Sequence, residues 1–481
     1  MTTSISSAET SLLEPQTALP TARVSGERKM YRIRHTLASR FLYLLLCVAI
    51  VLSALAFGTV HYSTMAVFSV GAVLIVILWM LDAWKLGKLR ISLNVLQLPL
   101  LAMLALGLVQ LLPFRGVDAA GVRQTFSLDP YSTRLVLAQV AALFIYFAAV
   151  LVFTDTPRRL RLLVRTITVF GFLLAIFGLT QSFTSPNRVF WIRELAQSTA
   201  FGPFINRHHF AGYMELALAL PLGLLFSGAI DRDKRFVYLF VALLMGVALI
   251  MTNSRGGIIS LIAEVLFLAV ITAFRRKHRH HHEDSRSSTF AGAAVRTGLA
   301  LVLILGLFVG VVLLGGESAL SRFVGTVNSE DPTTGRAHFW TVTLDIIKAN
   351  PVIGTGLGAF GVVYTGYDTR NGLYRLEQAH NDYLQVLSDG GIVGAVIALF
   401  FVFMLFRMGF SRRQTRDDFR RGVATGALAG CFAVLVHSFF DFTLHTTSNA
   451  LLFLVLVALA TMNGRVEEVH SRKRRKRHSP A

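Results

Sequence analysis

The sequence predicts an all-α polytopic integral membrane protein, with about 12 transmembrane helices and one long, partly helical periplasmic loop. Hydrophobic residues make up 54% of the 481 positions and charged residues only 15%, a balance that soluble globular proteins do not have. Apolar runs of about twenty residues recur along the whole chain, and a helix of that length crosses a hydrocarbon core of about 30 Å. Strand-like alternation of polar and apolar residues is absent, and lipid offers backbone polar groups no partner outside a helix.

The apolar runs divide the chain into helical and polar segments. The runs predicted to span the membrane are 38–57, 64–83, 95–113, 134–153, 166–182, 210–229, 236–252, 256–274, 297–314, 391–410, 422–440 and 448–462. The resulting segments are a disordered basic cytoplasmic tail (1–37), helices one to nine (38–314), a periplasmic loop (315–390), helices ten to twelve (391–462) and a second basic cytoplasmic tail (463–481).

The net charge of +20 follows from topology. If the N-terminus is cytoplasmic, most of the 47 Lys and Arg fall in cytoplasmic tails and loops, which is the bias that orients polytopic proteins. Both termini are therefore predicted to be cytoplasmic. The terminal basic run 472–477 suits anionic lipid headgroups, so no nucleic-acid partner is predicted.

Several classes of protein are disfavoured by what the sequence lacks. No short apolar region followed by small residues occurs early, which argues against a cleaved signal peptide, so the first run is expected to be a retained anchor. Cys47 and Cys431 both lie in apolar runs, which does not suit a disulfide framework. No glycine-rich loop with a lysine is present, which argues against an ATP-driven pump.

The long loop carries the polar residues best placed for chemistry. A helix is predicted to begin at Arg336 and to end before Pro351. A second helix is predicted to begin near His380. Three glycines between them predict a flexible turn: Gly354, Gly356 and Gly358.

Two arginines are candidate anion ligands. Arg255 lies in a tight turn between two apolar runs, where a charge near membrane depth costs about 2.5–3.5 kcal/mol and so has a partner or a function. It either binds an anion just outside the bilayer or snorkels to the interface. Arg336 either supplies a second cation for the same anion or is a solvated arginine beside aromatic residues, Phe339 and Trp340, that dock the helix on the membrane. Two arginines suit a diphosphate, because each guanidinium donates parallel hydrogen bonds and stays charged.

His380 lies at the border between the polar loop and an apolar run. A histidine there is either structural or a general base that removes a proton from an attacking hydroxyl. Glu377 is the alternative base.

His437, Asp441 and His445 recur at four-residue spacing near the outer end of the eleventh run. On one continuous helix they would form a potential metal face. However, a single row of three ligands is poor metal geometry, and the helix is predicted to end near Asp441. A polar cluster that lines a cavity is therefore predicted, with no metal and no other cofactor.

A third polar stretch precedes the sixth run. Arg207 and His208 could contact a sugar or phosphate at the membrane surface. Asn206 could do the same or could cap the helix that follows.

Taken together, these motifs resemble the O-antigen ligase and polymerase superfamily of bacterial envelope glycosyltransferases. The ligase signature of that family is His-Asn (or Ser or Gln), nine residues, then Gly-x-x-Gly, and 380–394 is similar to it. Ser254-Arg255 resembles the family's Ser-Arg at a tight outer turn. The family's Arg-x-x-x-Trp and Pro-x-x-Gly-x-Gly resemble 336–340 and 351–356. The stretch 204–209 resembles its Phe-x-Asn-x-Asn-His, with a histidine in place of the second asparagine.

The resemblance implies a GT-C-like, all-helical membrane glycosyltransferase of the bacterial inner membrane. Such an enzyme moves a glycan from undecaprenyl diphosphate on the periplasmic side, without a metal and with inversion at the anomeric carbon. Arg255 and Arg336 would hold the diphosphate, and His380 would activate the acceptor hydroxyl. The other residues expected to contact substrate are Asn381, Asn206, Arg207, His208, Trp340 and Asp441.

The acceptor separates the remaining alternatives. A ligase would transfer to a sugar of the lipid A core, whereas a polymerase of O-antigen or exopolysaccharide would transfer to a second lipid-linked glycan. The more distant alternative is a transporter of small anions. It is disfavoured because the polar residues collect at the outer face instead of on broken helices at mid-bilayer.

Overall fold

The computed structural model describes residues 35–113, 124–185, 188–195, 199–273, 336–370, 376–415 and 417–462, together with isolated residues between 298 and 309. Most of these residues lie in apolar helices. The helices are α1 Leu37–Leu55, α2 Tyr62–Leu86, α3 Gln97–Gln110, α4 Pro130–Phe153, α5 Pro157–Thr184, α6 Arg207–Phe226, α7 Arg235–Met251, α8 Arg255–Ala273, α9 Arg336–Ala349, α10 Phe360–Tyr367, α11 Asp382–Arg412, α12 Asp418–His437 and α13 Thr447–Thr461. Short 3-10 turns form at Phe57–Thr59, Arg232–Lys234 and Thr443–His445. One two-stranded antiparallel hairpin pairs β1 Arg188–Val189 with β2 Arg193–Glu194.

The predicted all-α polytopic fold is confirmed. Within the described ranges, nine helices are long and apolar enough to cross a membrane, namely α1, α2, α4, α5, α6, α7, α8, α11 and α12. The apolar helices α3 and α13 are shorter. The predicted runs coincide with these helices except for 297–314, which lies largely outside the described residues, as do residues 315–335 of the long loop and nearly all of both basic tails.

Polar caps set where several helices begin. The side chain of Thr36 accepts from the backbone of α1, and Asp417 does the same for α12. Asp129 and Thr156 cap α4 and α5, and each is followed by a proline at the first helical position. Such caps satisfy backbone N–H groups that have no partner inside the helix.

α6 lies at the centre of the bundle. Its apolar part is completely buried, and its contact with α12 is the most extensive between any two described helices. Small residues bring the two backbones together: a Cβ atom added to Gly223 would lie 2.2 Å from the Cα of Gly426. Close backbone approach of this kind is a standard way to pack helices within a membrane.

A buried charge network closes one end of the bundle. Arg90, in the link after α2, pairs with Asp82 at 2.7 Å and with Asp155 at 2.9 Å. Arg159 of α5 pairs with Asp155 at 3.2 Å and also donates to Ser39 Oγ at 2.9 Å. These bonds tie α1, α2, α4 and α5 together at the end opposite the candidate site.

The glycine turn after α9 is tightly packed, and the prediction of a flexible turn is wrong. Gly354, Gly356 and Gly358 all have positive φ angles of 70°, 116° and 79°, which glycine adopts without strain. The backbone N–H of Gly356 donates to Asp389 O at 3.1 Å, and that of Gly358 donates to Asp389 Oδ2 at 2.9 Å. A Cβ atom on Gly354 would lie 2.4 Å from Asp389 O. The turn is therefore fixed against α11.

α11 breaks where this turn meets it. Gly391 has φ 60° and ψ −158°, a conformation open essentially to glycine alone. The N–H groups of Ile392 and Val393, which the break frees, donate to Pro351 O at 2.8 Å and Val352 O at 3.1 Å. The predicted boundary between loop and membrane helix at 390/391 thus falls on a kink inside one helix, which begins at Asp382.

Candidate active site

The polar residues expected to carry chemistry converge at one end of the bundle, here called the site end. The N-termini of α6, α8, α9 and α11 lie there, together with the C-terminus of α12 and the link 438–446 that leads to α13. Hydrogen bonds and ion pairs join side chains from these elements. The side chains are therefore positioned by helix ends that the rest of the bundle holds in place.

Asp441, in the link 438–446, is the centre of the site. Its side chain is only 1% exposed, and His380 Nδ1 lies 3.2 Å from its Oδ1. The backbone N–H of Phe442 donates to the same oxygen at 2.9 Å. Arg336 Nη2 lies 3.5 Å from the other oxygen, Oδ2, and His208 Nδ1 lies 3.6 Å from it. One buried carboxylate thus gathers three residues that are distant in the sequence.

Opposing effects set the pKa of Asp441. Burial raises the pKa, because it disfavours the charged form. The hydrogen bond from His380 and the charges of His208, His380 and Arg336 lower it by more. The pKa therefore lies well below the ordinary value, and the carboxylate is ionised throughout the neutral range.

His380 is oriented so that one ring nitrogen faces Asp441 and the other faces away. Its backbone φ is 50°, an uncommon left-handed value for a residue other than glycine. The ring stacks on Phe339 at 6.2 Å between centroids and meets Phe442 edge-on at 4.8 Å. When Nδ1–H donates to Asp441, the lone pair of Nε2 is left to accept a proton. The side chain is 25% exposed, so a substrate can reach it.

The side chain of Asn381 forms its hydrogen bonds with backbone groups. Its Oδ1 accepts from the N–H of Tyr383 at 3.0 Å and of Leu384 at 3.1 Å, which caps α11. Its Nδ2 donates to Phe439 O at 3.2 Å. These bonds fix the orientation of His380 next to it, so the geometry favours a positioning role over the substrate contact expected from the sequence.

Arg336 is the first residue of α9 and is anchored on the link 438–446. Its Nη1 donates to Phe440 O, and its Nη2 faces Asp441. A guanidinium carries five N–H donors, so these contacts leave further donors for a ligand. The side chain is 20% exposed, which means that the group is held in place yet reachable.

Arg255 begins α8 directly after the predicted tight turn, in which Asn253 has φ 53°. The preceding residue, Ser254, is 2.9 Å from His208 Nδ1 through its Oγ. A Cβ atom on Gly256 would lie 2.6 Å from the His437 ring and 2.9 Å from Phe440 Cβ. The start of α8 therefore packs against the same backbone segment that Arg336 contacts, which brings both arginines to the site end.

The remaining expected residues have mixed positions. The side chain of Asn206 accepts from His208 N at 2.9 Å, which is the cap foreseen as its alternative role. Arg207 follows it as the first residue of α6. Trp340 lies in α9, and its buried indole N–H has no hydrogen-bond partner among the described residues. Glu377 is exposed, and no described contact ties it to Asp441.

α12 ends at His437, so His437, Asp441 and His445 do not share one helical face. That they line one cavity stays a prediction. His437 is fully buried and pairs with Glu215 at 3.1 Å. His445 pairs with Asp382 at 2.9 Å. In the part of the chain that the structure describes, no group of three or more His, Cys, Asp or Glu side chains is arranged to hold a metal ion.

Two acidic residues of this region were missed by sequence reasoning. Glu215 lies inside the apolar sixth run, where an ionisable residue is itself a signal of function or pairing. Its Oε atoms contact His437 and Ser260. Asp382 lies inside the nine-residue spacer of the signature, where the motif specifies no residue type, so nothing in the sequence marked it.

Comparison with known families agrees with the geometry. Residues 240–399, about a third of the chain, match the family model described as Wzy_C, O-antigen ligase. This match supports the resemblance of the chain to the O-antigen ligase superfamily. No curated protein matches the chain in a sequence comparison.

The region that matches the O-antigen ligase model contains Arg255, Arg336 and His380. Asp441 and His208 lie outside it, yet the structure brings Asp441 into contact with both His380 and His208. The domain supports a membrane glycosyltransferase of the O-antigen ligase or polymerase type.

Proposed function

We propose that this protein transfers a glycan from undecaprenyl diphosphate to an acceptor hydroxyl on the periplasmic face of the bacterial inner membrane. The acceptor that we favour is a sugar of the lipid A core, which makes the protein an O-antigen ligase. The observation that carries the proposal is the cluster of His380, Asp441 and Arg336 at the end of a membrane bundle, inside and beside an O-antigen ligase domain.

His380 is the proposed general base. Its Nδ1–H is held by Asp441, so its Nε2 takes the proton from the acceptor hydroxyl as the oxygen attacks the anomeric carbon. The imidazolium that forms is stabilised by the adjacent carboxylate, which is the role of the third residue in a catalytic triad. Glu377 is a weaker candidate because it is exposed and has no comparable orienting partner among the described residues.

Arg336 and Arg255 are the proposed ligands of the diphosphate. As the new bond forms, the bond between the anomeric carbon and the phosphate oxygen breaks, and negative charge grows on the departing diphosphate. Guanidinium groups fixed before the reaction stabilise that charge without further reorganisation. A single displacement inverts the anomeric carbon, and this scheme assigns no step to a metal.

Purified protein in nanodiscs, supplied with lipid-linked glycan and lipid A core, tests this proposal. We expect His380→Ala and Arg336→Ala to lose transfer by about 100-fold or more, the range typical of a lost general base or charge-stabilising group. Arg370→Ala is the matched arginine control, since that residue is exposed in the same loop. Glu377→Gln tests the alternative base and is expected to stay active. Full activity of His380→Ala, with normal insertion, contradicts the proposal.

The polymerase alternative uses the same donor site and differs in the acceptor. Offering a second lipid-linked glycan in place of lipid A core separates the two reactions in the same assay. In a deletion strain, uncapped core with accumulated lipid-linked polymer indicates a ligase, whereas core carrying a single repeat indicates a polymerase. The second pattern would replace the ligase assignment while leaving the roles of His380 and Arg336 in place.

A further inference from the structure

A second histidine–carboxylate pair lies beside the proposed base. His445 ends the 3-10 turn 443–445, and its Nδ1 is 2.9 Å from Asp382 Oδ1. The other oxygen of Asp382 accepts from Ser438 Oγ at 2.7 Å, and its backbone N–H donates to Ser438 O at 2.9 Å. The two bonds to Ser438 thus fix Asp382 at the start of α11, and the bond from His445 to Asp382 fixes the His445 ring.

Both pairs border the same aromatic ring. Phe442 lies 4.8 Å from the ring centre of His380 and 6.3 Å from that of His445. Asp382 follows His380 by two residues, so the two pairs share one short stretch at the start of α11 as well. His445 is therefore a neighbour of the proposed reaction centre, although it is 65 residues away in the sequence.

The second ring nitrogen of His445 is available to a ligand. No described residue hydrogen-bonds to its Nε2, and the side chain is 33% exposed. The other histidines near this ring and the end of α12 are more enclosed: His209 is 9% exposed and His437 is fully buried. The side chains of His380 and His445 are therefore both partly exposed beside Phe442.

The pKa of His445 is higher than that of an ordinary histidine. Burial lowers its pKa, but the hydrogen bond and the charge of Asp382, with the more distant charge of Asp389, outweigh that effect and raise it. Among the described residues, His209 of α6 is a further titratable group that interacts with it. The shift favours the protonated ring, in which Nε2–H is a donor.

We propose that His445 is a binding residue for a substrate phosphate, donating Nε2–H to a phosphate oxygen beside the proposed base, His380. The phosphate belongs either to the donor diphosphate or to a phosphorylated acceptor sugar. This inference rests on the proposed function for its substrates, and on the geometry of the His445–Asp382 pair for its residue.

His445→Asn is the informative variant. An asparagine amide can replace Nδ1–H towards Asp382, but it has nothing in place of Nε2–H, so the link 438–446 keeps its attachment. Loss of one charged hydrogen bond is expected to weaken phosphate binding about tenfold or more. A rise in KM for lipid-linked glycan, with little change in kcat, assigns the contact to the donor. A rise in KM for lipid A core instead assigns it to the acceptor.

Binding is also measured without turnover, by calorimetry of wild-type protein in nanodiscs with undecaprenyl diphosphate and with inorganic pyrophosphate. If the wild type transfers no glycan but binds these probes more tightly than His445→Asn does, the proposed function fails and this inference stands. His338→Asn is the control for the exchange itself, because it makes the same substitution in another His–Asp pair of 2.9 Å, which lies on α9.

The pH dependence supplies a readout that a structural role would not move. The electrostatic contribution of His445 is complete below its ordinary pKa of 6.5 and is lost as the pH rises through the raised folded value. Binding by the wild type is therefore expected to weaken as the pH rises, and binding by His445→Asn to lack this component. Asp382→Asn keeps the imidazole and is expected to move the component to lower pH; it serves if His445→Asn does not fold. Equal KM, equal Kd and equal pH profiles for variants and wild type overturn the proposal.

Discussion

Asp441 illustrates how one buried carboxylate can organise a site whose members are scattered along the chain. His380 was recognisable from its motif and Arg336 from its place at the start of a loop helix. The role of Asp441 was not recognisable, because its partners lie 61 and 105 residues away and only the fold brings them together. Asn206 and Asn381 show the opposite case: both belong to motifs that are recognisable in the sequence, yet their side chains mainly cap helices.

Asp441→Asn is expected to reduce glycan transfer by about 100-fold or more while donor binding is retained by the two arginines. An amide can donate to Nδ1 of His380, which would place the proton on Nε2 and remove the base. The measurement is kcat of the purified variant against wild type. Unchanged kcat would show that His380 does not need the carboxylate.

The depressed pKa of Asp441 adds a constraint on the pH profile. A lowered pKa contributes stability that is present above the ordinary value of 3.8 and is lost only as the pH falls through the folded value. Asp441 therefore remains charged across the range in which the enzyme can be assayed. Any loss of activity between neutral and mildly acidic pH has to come from another group.

At the scale of elements, long apolar runs were predictable because membrane helices need both length and hydrophobicity. The glycine turn 354–358 and the kink at Gly391 could not be predicted, because the reason for each is its contact with the other, which only the three-dimensional structure shows. The turn needs glycines because its backbone lies against α11. α11 needs a glycine because its helical hydrogen bonds are interrupted at Gly391, where the freed N–H groups donate to the segment that leads into the turn. A glycine-rich sequence suggests flexibility, but here close packing is the reason for the glycines.

Gly391→Ala is expected to destabilise the protein by about 2 kcal/mol or more, because alanine is strained at that φ and ψ and its Cβ meets backbone. The closest atom would be Val352 O at 2.4 Å. Gly366→Ala is the matched control, since nothing lies within 4 Å of a Cβ there. Thermal unfolding in detergent, followed by size-exclusion of the heated sample, compares the two. Equal melting temperatures would mean that the kink relaxes freely.

At the scale of the whole molecule, the proposed orientation in the membrane, with the site end in the periplasm, rests on the distribution of basic residues and has a direct test. In a background without Cys47 and Cys431, single cysteines are placed at Ile192, 85% exposed near the site end, and at Arg232, exposed between α6 and α7. A membrane-impermeant maleimide is expected to label Ile192→Cys in spheroplasts, but Arg232→Cys only after lysis. The reverse pattern would place the site in the cytoplasm.

The central position of α6 also affects how the bundle is assembled during synthesis. α6 and α12 are the least apolar of the spanning helices, and each covers much of the other. Yet α6 leaves the ribosome long before α12 is made, so the middle of the protein is completed near the end of translation. A chain shortened before Asp418 would therefore lose the partner of its central helix, along with Asp441, and not just its outermost helices.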